Sequence, residues 1–206
     1  MATMTLTARK APSTVDLRGV LATIAGVLAA AGGLIHLVVI RNHLDVLVVA
    51  AGFAVMGTAQ GAFALRVLTR PSRQVLLAGG ALHTVIAVVW LTSRTTGLVF
   101  IPGAEGIEPV GVADLVATTF SLGVLGVSVI ARSLDTTSTG VVLPARVARR
   151  MTAVVVAGTL CLSVPALLTP HDHDRASHTP DPHSATTELL NSHDGTPHDE
   201  HVHPTP

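Results

Sequence analysis

The sequence predicts an all-α fold: a polytopic membrane helix bundle of about five transmembrane helices with a disordered His-rich C-terminal tail. Three observations predict it. Of the 206 residues, 49% are hydrophobic and only 13% are charged, against roughly 25% charged in an average soluble domain. The apolar residues are gathered in long blocks between 19 and 168, while 169–206 is polar almost throughout, which argues for a membrane domain plus a tail. Basic residues alternate in number from one connection to the next, as topology in a bilayer requires. The chain therefore divides into a cytoplasmic N-terminal segment (1–18), a five-helix transmembrane domain (19–168) and an extracytoplasmic tail (169–206).

A membrane-spanning helix needs about 20 mostly apolar residues, because the hydrocarbon core is roughly 30 Å thick. Five segments meet that demand: 19–40, 46–65, 74–92, 110–131 and 151–168. The first follows Arg9, Lys10 and Arg18, but its 22 apolar residues exceed the ~7–15 of a signal-peptide core, so it is expected to remain as a membrane helix. The second carries Gly57 and Gly61 in a GxxxG spacing, which lets helix backbones approach and is expected to serve packing within the chain. Glycines 79 and 80 mark a similar face on the third. The fifth contains the β-branched run Val154, Val155, Val156 and also Pro165. Helix is still expected there, because an isolated strand in lipid leaves its backbone unpaired.

Lys and Arg in the successive connections number 3, 1, 3, 1, 4 and 1, which puts ten on one side and three on the other. The richer side is expected to be cytoplasmic. The N-terminus is then inside and the tail outside, in the plasma membrane.

Several function classes are disfavoured. A formal net charge of zero gives no basic surplus for nucleic acid. The lone Cys161 forms no internal disulfide or CxxC motif and reads as a small buried hydrophobe. With no nucleophile–base pair, phosphate loop or zinc-protease motif, an enzyme is not expected.

Ionisable residues inside a span are costly and so become functional candidates. Three stand out: His36, His83 and Asp114. By helical spacing, His36 shares a face with Gly32 and Gly33, and His83 with Gly79 and Gly80, so both should face protein. Asp114 begins a polar stripe that continues through Thr118, Ser121 and Ser128. His36, His43, Asp45 and Asp114, with Arg94, Glu105 and Glu108 nearby, are expected at the outer end of the bundle, where they can converge on one pocket. Imidazole and carboxylate together suit Zn, Cu, Ni or Co. The competing reading is that His36 and Asp114 form an interhelical hydrogen bond that only fixes packing, in a structural or interaction protein with no ion pathway. A haem between His36 and His83 is less favoured, because the two histidines sit at different depths.

The tail holds eight of the eleven histidines: His171, His173, His178, His183, His193, His198, His201 and His203. Six of the twelve prolines lie in 170–206, and with so little apolar residue the tail is expected to be disordered. His-rich tracts read as metal binding. The expected function is thus low-affinity capture of divalent transition metal ions outside the membrane, in a metal-handling or transport-accessory role. The other partner implied is the lipid bilayer.

A pattern of residues adds to this reading. Gly33, Leu34, Ile35, His36 and Leu37, then His43 and Leu44, then Ser93 to Leu98, then Glu108 to Leu115, resemble uncharacterised multi-pass membrane proteins of GC-rich Gram-positive (actinobacterial-type) bacteria, over about residues 33–121. That resemblance implies importance for His36, His43, Arg94, Glu108 and Asp114. It also implies an acidic residue near Ser121, which this sequence lacks.

Overall fold

In hydrocarbon every backbone N–H and C=O must be paired within the protein, and the five apolar blocks achieve this as α-helices. The computed structural model describes residues 13–134 and 141–168. Among them, α1 (Leu17–Val39), α2 (Leu47–Thr69), α3 (Arg73–Thr95), α4 (Val112–Leu134) and α5 (Ala145–Leu168) are each long and apolar enough to cross a membrane. At 1.5 Å per residue, 23 residues reach about 35 Å, slightly more than the hydrocarbon core. The tail histidines, from His171 to His203, lie outside the described residues.

Local chemistry sets the helix starts. Asp16 caps α1 by accepting from the Arg18 amide at 3.3 Å, and Ser72 caps α3 by accepting from the Val75 amide at 3.3 Å. Hydroxyl residues enter the helices cheaply because each bonds a carbonyl one turn back. Thr84 donates to Gly80, Thr119 to Leu115 and Ser128 to Val124, all at 2.8–2.9 Å.

α1 is the central helix, packed against α2, α4 and α5, while α3 packs on α4. Its approach to α2 depends on two glycines. A Cβ on Gly33 would stand 2.9 Å from the carbonyl oxygen of Gly57, and one on Gly57 would stand 2.8 Å from that of Gly33. The GxxxG glycine at 57 therefore serves contact inside the chain, as expected. Gly61 is looser, with nothing within 4 Å of an added Cβ.

The buried apolar residues fall into two groups. One gathers Leu21, Ala25, Phe63, Val67, Leu76 and Val124; the other gathers Ile35, Val39, Ala117, Phe120 and Ala166. The fully buried polar side chains of Gln60, His83 and Ser121 also lie in the interior, with Gln60 Nε2 donating to Ser121 Oγ at 3.5 Å. Outward, α2, α3, α4 and α5 present Val55, Leu65, Val85, Leu122, Val154 and Leu160, all more than half exposed. Such a surface suits lipid tails.

The structure departs from the sequence reading in several places. α2 runs on to Thr69 and α5 begins at Ala145, six residues before the apolar block. Hydropathy marks what is immersed in lipid, whereas a helix continues into water wherever its backbone bonds are kept. A short antiparallel pair, β1 (Thr14–Asp16) with β2 (Val142–Pro144), joins the start of α1 to the start of α5. Cys161 is exposed on α5 rather than buried, because this helix buries only Ala148, Thr159, Ser163 and Ala166.

Candidate functional site

The connection between α3 and α4 is a folded loop. Leu98 N donates to Ala104 O at 2.8 Å, Ile101 N to Leu98 O at 2.7 Å, and Glu108 N to Ser93 O at 3.2 Å. Its first bend requires glycine: Gly97 has φ +72°, and a Cβ there would lie 2.1 Å from the Glu105 carbonyl oxygen. Glu105 is spent within the loop, its carboxylate accepting from the Gly103 amide at 2.9 Å.

This loop brings together three charges far apart in sequence. Arg94, in the last turn of α3, forms ion pairs with Glu108 of the loop and with Asp114 in the first turn of α4, the second at 2.7 Å. Asp114 also accepts from the Gly111 amide at 3.2 Å. The Arg94 and Asp114 side chains keep only 8% and 12% of their exposure, while Glu108 keeps 31%. Both helix ends suit their charges, since cations are favoured at helix C-termini and anions at N-termini. A guanidinium can serve two carboxylates at once because its donors are arranged as a planar fork.

Against this cluster lies a cavity of about 120 Å³. α2 lines it with apolar residues only, Val48, Val49, Phe53 and Met56 among them. Its polar groups come from elsewhere: His36 of α1, Ser93 and Arg94 of α3, Glu108 of the loop, and Asp114 and Thr118 of α4. Val48 of α2 and Val89 of α3 line the cavity and are 50% and 37% exposed. Phe53 sits between two imidazoles, its ring 5.6 Å from that of His36 and 4.9 Å from that of His43, with the second pair stacked.

Of the residues singled out in the sequence, His36, Arg94, Glu108 and Asp114 thus line one cavity. His43, in the 3-10 turn Ile40–His43, is not among the lining residues but stacks on Phe53, which is, and Asp45 is exposed. Asp114 is bonded to Arg94 rather than to His36, whose Nε2 is buried without a protein partner. His83 lies elsewhere in the core, with Nδ1 donating to Gly79 O at 2.8 Å and its ring edge-on to Phe63. Among the described residues, no three His, Cys, Asp or Glu side chains form a group able to hold a metal ion.

Trp90, Ser93 and Phe53 were not singled out as site residues. The signal for two of them was available: Ile86, Trp90, Ser93 and Arg94 fall on one helical face, at steps of four, three and one. Fold and site together define a multi-pass helical membrane protein with a partly polar cavity near one end of its bundle. No family model, curated protein or solved structure matches the chain.

Proposed function

We propose that this protein resides in the cell membrane and binds a small lipid-soluble molecule in the cavity between α2, α3 and α4, without transforming it. One observation carries the reading: a single cavity of about 120 Å³ combines apolar walls with a buried charged cluster. Apolar walls with a few convergent polar groups are the usual makeup of small-molecule sites. A closed apolar cavity of about 150 Å³ accepts benzene, so the space here suits roughly one six-membered ring. The half-exposed lining residues Val48 and Val89 support entry from the bilayer past α2 and α3.

Gly52 offers a direct test, since it lines the cavity and an added Cβ would meet nothing within 4 Å. Gly52→Leu should fill the space without a clash. Organic extraction and mass spectrometry of the detergent-purified protein should find a small molecule in near-stoichiometric amount, depleted in the variant. Identical extracts from the two would end the proposal.

The ten-to-three excess of Lys and Arg supports an inside N-terminus, which puts this cavity toward the extracytoplasmic side. A second reading is metal capture by the tail, favoured by its eight histidines between 171 and 203. Calorimetric titration of the whole protein with Zn²⁺, Cu²⁺ and Ni²⁺ tests it against a variant carrying Ala at all eight positions. Equal heats from both proteins would remove it.

A further inference from the structure

We infer that the cavity selects a neutral molecule bearing a hydrogen-bond acceptor, such as a ring ketone or ether; this rests on the binding role proposed above. Three residues that line the cavity each carry a buried nitrogen with no partner in the protein: His36 Nε2, Trp90 Nε1 and Arg94 Nε. His36 as a whole and the Arg94 side chain are each only 8% exposed. The indole nitrogen and the guanidinium Nε are donors only, whereas His36 Nε2 donates or accepts according to tautomer. A buried donor left unmade is costly, so a well-matched occupant brings an acceptor.

Charge then narrows the class. Arg94 already faces two carboxylates, Glu108 and Asp114. An anionic head would add a third negative group to a cluster holding one positive charge. An ammonium head would meet favourable charge, but it has only donors and would leave the Trp90 and Arg94 N–H groups unmet. A neutral oxygen satisfies the donors and disturbs no ion pair. The apolar α2 wall accommodates the rest of the molecule.

Trp90 is the only tryptophan and the chain has no tyrosine, so its fluorescence reports on the cavity alone. The whole protein in phosphatidylcholine vesicles is titrated with four rings of similar size: cyclohexanone, cyclohexanecarboxylate, cyclohexylammonium and methylcyclohexane. The expected result is a saturable change with cyclohexanone, half-complete at a concentration at least tenfold lower than with any other ring. Gly52→Leu, checked for an unchanged melting temperature, should abolish it. A charged ring or methylcyclohexane that saturates first overturns the acceptor rule while leaving a binding cavity in place. No saturable response to any ring, or an equal response in Gly52→Leu, overturns the rule and the binding role together.

Discussion

Arg94 Nη2 stands 2.7 Å from Asp114 Oδ2, tying the end of α3 to the beginning of α4 across a sixteen-residue loop, 96–111. The pair is nearly out of water. Removing one partner of a buried pair costs about 3–5 kcal/mol where it leaves the other charge uncompensated. Asp114→Asn leaves Arg94 its second carboxylate, Glu108, so it is expected to lower stability by about 1.5–3 kcal/mol, the scale of a lost hydrogen bond to a charged group, in a denaturation series in mild detergent. Glu108→Gln, at a side chain 31% exposed, should cost under about 1 kcal/mol. Equal losses from the two changes would contradict this ranking.

The α1–α2 contact makes a second prediction. Gly57→Val places a branched side chain where even a Cβ would be 2.8 Å from the Gly33 carbonyl oxygen. Overpacking of this kind costs about 1–3 kcal/mol, and more when the obstacle is backbone. Gly158→Ala meets nothing within 4 Å; it should be neutral or add up to about 1 kcal/mol through helix propensity. Thermal unfolding of the two variants side by side checks both signs.

At the bend of the loop, Gly97→Ala should act locally. It imposes a left-handed backbone on alanine and sets a Cβ 2.1 Å from the Glu105 carbonyl oxygen. Strain of this kind costs about 1–3 kcal/mol, and the loop relieves it by leaving its folded form. Limited proteolysis should then cut within 97–110 in the variant well before it cuts the parent. An unchanged cleavage rate would mean the bend is not what holds the loop.

Topology is checked with reporters. Phosphatase fused after residue 43 or 103 should be active, and fused after residue 70 or 140 inactive, if the Lys and Arg excess lies in the cytoplasm. The reverse pattern would turn the cavity to the other side of the membrane.

The helices could be read from the sequence because burial in lipid requires about twenty apolar residues in succession, and 19–40 or 74–92 satisfies that alone. The facing of His36 and His83 also followed from helical spacing beside glycines, and both are buried. The union of Arg94 with Glu108 and Asp114 was less legible. The sequence gathered these charges at one end of the bundle, but which carboxylate takes the guanidinium depends on a loop path set by Gly97 and by backbone bonds such as Glu108 to Ser93. The pairing of Thr14–Asp16 with Val142–Pro144 left no periodic trace, since three residues are too few for an alternating pattern. Trp90 and Ser93 share a helical face with Arg94, but the residues facing them across the cavity belong to other helices, and no spacing along one helix shows those.

The central place of α1 bears on how the protein is made. It leaves the ribosome ahead of α2 to α5, yet two of the helices it packs against, α4 and α5, follow only after α2 and α3. Until then the surface of α1 that will meet α4 stays open to lipid or to the insertion machinery. Gly33 meets Gly57 as soon as α2 arrives, so the α1–α2 hairpin is the natural first assembly intermediate. Chains that stall before α4 emerges would carry an uncovered helix face, which is the kind of signal membrane quality control recognises.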